Sequence, residues 1–240
     1  MTQKNISGKI FLIPNVIADD TQAKVLSRQI LEILPGINYF LVEDVRTARR
    51  FLSSLKVYNS VEGLKFEVLN KDTRIDALGK LLQPVVEGAD VGIISESGCP
   101  GVADPGALAV RFAHEHGIQV IPLVGPSSLL LALMASGLNG QRFAFHGYLP
   151  IDSKEAGDAI KAYEKESRAK KQTQVFIETP YRNNQLFQTL VKNLQDQTRL
   201  CVAFNITGTD ESIRTLAVSQ WKSIKPEYPK APAVFLFLAE

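Results

Sequence analysis

Short apolar runs alternate with amphipathic stretches through the first half of this chain, and that alternation limits the fold more than any other feature. The runs KIFLIP, NYFLV, KFEVL, DVGIIS and QVIPLV have strand length. Between them lie stretches at 21–34, 46–55, 75–87 and 107–116 that read as amphipathic helices. Repetition of this kind builds βαβ units, and successive units produce a largely parallel, Rossmann-like sheet covered by helices. The stretch 21–34 illustrates the reading. Ala23, Leu26, Ile30 and Ile33 share one stripe, Asp20 or Thr21 stands where a cap is needed, and Pro35-Gly36 ends the helix.

A different pattern begins after GPSSLLLALMASG. QRFAFHGYLP leads into 152–171, where acids and bases alternate as on a solvated surface segment. TQVFIE, a helix at 183–194, RLCVAFNIT, a strand at 214–218 and AVFLFLA follow, which reads as a mixed sheet with fewer helices. The fold class expected is therefore α/β in two domains, 1–124 and 125–240, with the boundary near 123–127 and a ligand cleft between them.

Composition narrows the setting. With 240 residues, 45% of them hydrophobic, the chain can bury a full core, and disorder is excluded. Apolar runs stay well short of the roughly 20 residues that span a bilayer, and MTQKNISGKI lacks the apolar core of a secretory signal. Cys99 and Cys201 form no paired spacing, which argues against a disulfide framework or a zinc cluster; a cytoplasmic protein without membrane or metal is expected. A net charge of +2 leaves the substrate open, because affinity for a phosphate backbone comes from clustered Lys and Arg. Arg46, Arg49 and Arg50 are such a local group, readable as a solvated helix face or as a phosphate contact.

Chemistry concentrates in DVGIISESGCPGVADPG, a buried-type strand running straight into a turn. Gly98, Gly101 and Gly106 permit positive φ or close approach of a ligand, while Pro100 and Pro105 fix φ and remove donors. In open α/β sheets ligands collect outside the carboxyl ends of strands, where this turn falls. PLVGPSS repeats the design, with Ser127 and Ser128 at a helix start as caps or as ligand contacts. Neither stretch matches GxGxxG or GxxxxGK[ST], so nicotinamide and nucleoside-triphosphate enzymes lose their sequence support. His114 and His116 are two apart and point to different helix faces, His146 follows a strand as a structural imidazole, Cys99 reads as a small loop residue and Cys201 as core.

SESGCPGVADPG resembles a signature that usually reads SDAGTP, a short spacer and SDPG in the 16S rRNA ribose 2'-O-methyltransferase family of the tetrapyrrole-methylase superfamily. VEDVRTARRFL, PLVGPSSLLLALMASGL, RFAFHGYLP and FIETPYR match that family in the same order. The resemblance implies a two-domain tetrapyrrole-methylase fold, S-adenosylmethionine as cofactor, 16S rRNA or the small ribosomal subunit as partner, and a homodimer. It places the cofactor against Pro14, Gly98, Cys99, Pro100, Val102, Ser127, Ser128, Ile177, Pro232 and Ala233. Departures exist: IPNVIADD stands where the family has a TPIGN loop, Glu96 and Cys99 replace Asp and Thr, and the sequence ends without the basic extension of long members.

A ribose hydroxyl is a weak acid that profits from a nearby base. Glu43 and Asp44 end one strand and Glu178 another, with Arg182 four residues on. Glu178 or Glu43 is expected to orient or deprotonate the acceptor while Arg46 and Arg182 hold a phosphate, and ion pairing among these side chains across the domain joint is the other account. Two further readings stay open: methylation of a tetrapyrrole or other small molecule, favoured by the modest charge, and a non-catalytic S-adenosylmethionine-binding protein, suggested by the altered first loop and Glu96.

Overall fold

The structure, a computed structural model, describes residues 8–224 and 226–239. The opening segment, where a secretory signal would lie, falls as far as residue 7 outside the described residues. The chain divides into two compact units, Met1–Pro126 and Ser127–Glu240. No helix among the described residues is long and apolar enough to cross a membrane.

In the first unit β1 (Lys9–Ile13), α1 (Gln22–Val25), α2 (Arg28–Ile33), β2 (Tyr39–Val42), α3 (Val45–Leu55), β3 (Lys65–Val68), α4 (Leu78–Leu81), α5 (Gln83–Val86), β4 (Val91–Ile94), α6 (Gly106–Glu115) and β5 (Gln119–Pro122) follow one another. All five strands are parallel, in the order β3-β2-β4-β1-β5, so the expected parallel sheet is present. Register decides where the chemistry emerges. Ile94 lies opposite both Ile13 and Val42, so Pro14, Glu43 and Ser95 are the first residues beyond three neighbouring strands at one level of the carboxyl edge. The strand order reverses between β1 and β4, the kind of switch point at which α/β sheets open a crevice.

Two expected helices are broken. The stretch 21–34 forms α1 and α2 with Leu26 and Ser27 extended between them, and only Ile30 of the expected stripe is buried. Thr21 makes no side-chain cap. Asp20 adopts φ 59°, a left-handed conformation outside any helix. Leu26 and Ile33 pack half-buried on the Phe40 and Phe51 cluster, so tertiary contact outweighs the continuous periodicity. The stretch 75–87 divides into a short 3-10 turn, α4 and α5. Pro84 has no amide to give to the carbonyl four residues back, which stops one helix from running through.

The second unit contains α7 (Ser128–Ser136), β6 (Phe143–Phe145), α8 (Ser153–Lys170), β7 (Thr173–Glu178), α9 (Asn183–Asn193), β8 (Arg199–Phe204), β9 (Ser212–Ala217), α10 (Val218–Ser223) and β10 (Ala233–Leu238). Its sheet is mixed, ordered β6-β7-β10-β8-β9, with only the β6–β7 pair parallel. Alternation along β10 sends Phe235 and Phe237 into the cluster that holds Trp221, Phe187 and Ile160, and Val234 and Leu236 to the face that packs Ala132 and Leu133 of α7. The charged stretch 152–171 is more than a surface segment. Asp152 caps α8 by accepting from the Lys154 and Glu155 amides, and Ala156, Ile160, Glu164 and Ser167 are buried. Buried Glu164 accepts from the Gln195 amide and the Thr198 hydroxyl.

Candidate functional site

The turn after β4 is held to the ends of three neighbouring strands. From β1, Asn15 is buried and its Nδ2 donates to the Ser95 and Glu96 carbonyls at 3.1 Å each, while its amide donates to Gly98 O at 2.9 Å. From β2, Glu43 Oε1 accepts the Glu96 amide at 3.2 Å. Beyond β5, the Pro126 carbonyl accepts from Cys99 Sγ at 3.3 Å. Inside the turn, Asp104 Oδ1 accepts the amides of Gly101 and Gly106 at 2.6 and 2.7 Å, and closes the loop over itself.

Glycine is required here for steric reasons. Gly98 and Gly101 have φ of 68° and 82°. A Cβ on Gly106 would come within 2.6 Å of Asp104 Oδ1, and one on Gly125 would meet Pro14 Cβ at 2.2 Å. A Cβ on Gly101 would touch the Ala107 amide nitrogen at an ordinary 3.9 Å. Of the residues expected to touch a cofactor in this unit, Pro14, Gly98 and Pro100 are buried, Cys99 is half-buried, and Val102 is exposed. Burial raises the Cys99 thiol pKa, which fits a loop residue better than a nucleophile.

Electrostatics single out Glu43. Its carboxyl is half-buried within hydrogen-bond reach of Asp104, and its pKa is pushed up to about 7, first by burial and then by the charges of Asp104 and Glu96 against the opposing Glu96 amide. Asp44, one residue on, is a cap. It accepts the Thr47 amide at 2.7 Å, and that bond lowers its pKa. The arginine group separates by role: Arg49 lies over the Phe66 ring at 5.3 Å, Arg46 is exposed, and Arg50 lines a cavity with Asn15, Ile17, Asp20, Thr47 and Glu96. That cavity, of about 320 Å³, falls within the size range of small-molecule sites.

In the second unit, Ile177 and Glu178 end β7 directly opposite Val234 and Ala233 of β10, with Ile177 on the face that packs α7, Ala233 and Glu178 on the other face, and Pro232 next in the chain. Pro232 O accepts the Asn205 amide at 2.8 Å. Glu178 is 5% exposed; Oε1 accepts the Thr179 amide at 2.7 Å, while Oε2 lies 3.3 Å from Arg182 Nη2. Glu178 and Arg182 are therefore ion-paired within this segment. Glu178 Oε2, Arg182 Nε and Asn183 Oδ1 nonetheless have no hydrogen-bond partner. Ser127 makes no side-chain cap to α7, so the capping read from the sequence is not formed. His146 is structural, stacked on Tyr163 at 3.9 Å and paired with Gln174, and His116 stacks on Phe112 at the end of α6.

Asn15 and Asp104 were the residues missed. Asp before Pro-Gly is a turn acceptor by composition, which was the available signal for Asp104. Asn15 carried no comparable mark.

No protein-family profile matches the chain. Its fold is similar to that of the methyltransferase CobJ, with a TM-score of 0.64 and 16% identity, covering 97% of this chain and 95% of that one. It is also similar to uroporphyrin-III-C-methyltransferase from Thermus thermophilus, with a TM-score of 0.57, 18% identity and coverage of 97% and 92%. The fold is therefore the one these two methyltransferases share. In sequence the chain is similar to ribosomal RNA small subunit methyltransferase I of Escherichia coli O157:H7, at 29% identity over 216 residues, 90% of this chain and 71% of that protein. The Vibrio cholerae protein of the same name is 27% identical over 219 residues, 91% of this chain and 72% of that protein.

Proposed function

We propose that the chain is an S-adenosylmethionine-dependent methyltransferase acting on a ribose 2'-hydroxyl of 16S rRNA, in the cytoplasm and as a homodimer. The observation that carries the reading is similarity to the small-subunit rRNA methyltransferases along nine-tenths of the chain. The tetrapyrrole-methyltransferase neighbours, at 16 and 18% identity, speak for the fold alone. Leu130 and Met134, four apart on α7 and 52% and 79% exposed, offer the apolar surface a second copy would cover.

The residues present fit the cofactor. A turn with two positive-φ glycines leaves the main chain without side chains at those positions, which suits close approach of a ligand, and the Ser127 hydroxyl is not spent on capping. The contacts assigned are Pro14, Gly98, Cys99, Pro100 and Val102 in the first unit, and Ser127, Ser128, Ile177, Pro232 and Ala233 in the second. When bound, S-adenosylmethionine supplies a methyl carbon already activated by its sulfonium. The protein's main task is then alignment, which can contribute about 7 to 11 kcal/mol when reacting groups are held in line.

Glu178 is assigned the acceptor's proton. It is a buried carboxylate whose Oε2 has no hydrogen bond, and a hydroxyl brought to it would supply one. Arg182 holds that carboxylate in place and, with Arg46, is assigned to phosphate. Methyl-labelled S-adenosylmethionine offered to small ribosomal subunits tests the assignment; uptake into rRNA supports it, and uptake only into a tetrapyrrole or other small molecule replaces it with the second reading.

A further inference from the structure

The tie from β2 to the turn differs from the other two because both of its ends are acids. Asn15 reaches the turn with an amide, and Cys99 reaches Pro126 with a thiol. Glu43 meets Asp104 with a carboxyl against a carboxyl, within hydrogen-bond reach. Two carboxylates at that distance repel unless a proton lies between them.

We infer that Glu43 and Asp104 share one proton, and that Glu43, donating it to Asp104, positions the glycine-rich turn rather than serving as a base toward the methyl acceptor. The geometry decides which residue carries the proton. Asp104 Oδ1 already accepts two backbone amides, from Gly101 and Gly106, and amide donors favour an ionised acceptor. Glu43 has one such donor, the Glu96 amide at 3.2 Å, and is otherwise desolvated. With the proton on Glu43, a single chain of hydrogen bonds runs from the Glu96 amide through Glu43 to Asp104 and on to Gly101 and Gly106. The first and last residues of the turn are thereby fixed against β2.

The charged groups acting on Glu43 are Asp104 and Glu96, both acidic, whereas Arg46 acts on Asp44. Loss of the proton therefore leaves three facing carboxylates and cuts the chain at its centre. Since Glu43 holds its proton up to about pH 7, the change falls near neutral pH. For cofactor binding this inference rests on the turn being the cofactor's seat; for the turn itself it does not.

The test uses the intact chain. In an NMR titration the Glu43 carboxyl carbon and the Gly101 and Gly106 amides are expected to move together, with one midpoint near pH 7. Affinity for S-adenosylmethionine, read by calorimetry, is expected to fall about tenfold between about pH 6 and about pH 8, because only the protonated form keeps the turn closed. A base toward the acceptor makes the opposite prediction, turnover rising through the same range as Glu43 ionises. In Glu43→Gln, whose side-chain N–H replaces the shared proton, the two glycine amides are expected to stay fixed and the affinity to lose its pH dependence. Glycine amides that do not respond in the wild type, or that shift with pH equally in Glu43→Gln, overturn the inference. A wild type that shows the joint titration but takes up no S-adenosylmethionine at any pH supports the shared proton and overturns the functional reading instead.

Discussion

The turn at 95–106 and the segment at 178–183 both follow the carboxyl end of a strand, yet they treat polar groups in opposite ways. In the turn the polar side chains are spent on the protein itself: Asn15 on two carbonyls, Asp104 on two amides, Ser95 on the Ser97 and Gly98 carbonyls. In the segment, Glu178 Oε2, Arg182 Nε and Asn183 Oδ1 are buried without hydrogen-bond partners. A buried polar group left unsatisfied costs on the order of 1–3 kcal/mol, a cost that the 3.3 Å ion pair with Arg182 offsets in part at Glu178. The lesson is a division of labour. The turn is held by its own backbone and side chains, whereas the segment keeps three buried polar atoms without hydrogen-bond partners.

That contrast is open to attack at several points. The largest effect is expected from Glu178→Gln, which removes the carboxylate proposed to take the acceptor's proton and leaves the fold: turnover should drop about 100-fold or more while circular dichroism and S-adenosylmethionine binding change little. Equal losses of binding and turnover would make Glu178 a structural ion-pair partner of Arg182 instead. Gly106→Ala comes next. Its methyl would press on Asp104 Oδ1 at 2.6 Å and on the Gly101 amide at 3.2 Å, and overpacking of that kind costs about 1–3 kcal/mol. Calorimetry should show cofactor affinity weakened roughly tenfold or more, with the second unit's sheet unaffected.

A smaller effect is expected from pH. Glu43 binds its proton more tightly in the folded chain, at about 7 against an ordinary 4.5, so between those values the folded state holds a proton that the unfolded chain has released. Stability should therefore decline as pH rises from 4.5 to about 7 and be level with respect to this group above that, a slope that denaturant unfolding should find in the wild type and not in Glu43→Gln. Least affected should be Cys99→Ala. A thiol at 3.3 Å from a carbonyl is a weak donor, and its loss should shift unfolding by no more than about 0.5 kcal/mol.

Much of this was legible in the sequence because strand–turn–helix punctuation is local. DVGIIS followed by three glycines and two prolines defined a strand, a turn and the start of α6, and TQVFIE with the following helix defined β7 and α9. Helix continuity was less legible. Ala23, Leu26, Ile30 and Ile33 keep a helical period across a break at Leu26 and Ser27 that only packing against the sheet imposes. At Pro84 the signal was present and simply outweighed by the apolar pattern around it. The site was legible as residue types but not as partnerships. Glu43 and Asp104 are 61 positions apart, and nothing local in either announces that β2 and the turn after β4 bring one carboxyl against the other.

The most direct measurement incubates purified small ribosomal subunits with the protein and methyl-labelled S-adenosylmethionine, digests the rRNA to nucleosides and weighs the labelled product. One 16S nucleoside labelled on its ribose is the result expected. Label on a base, or none in RNA while the cofactor is bound, would contradict the account.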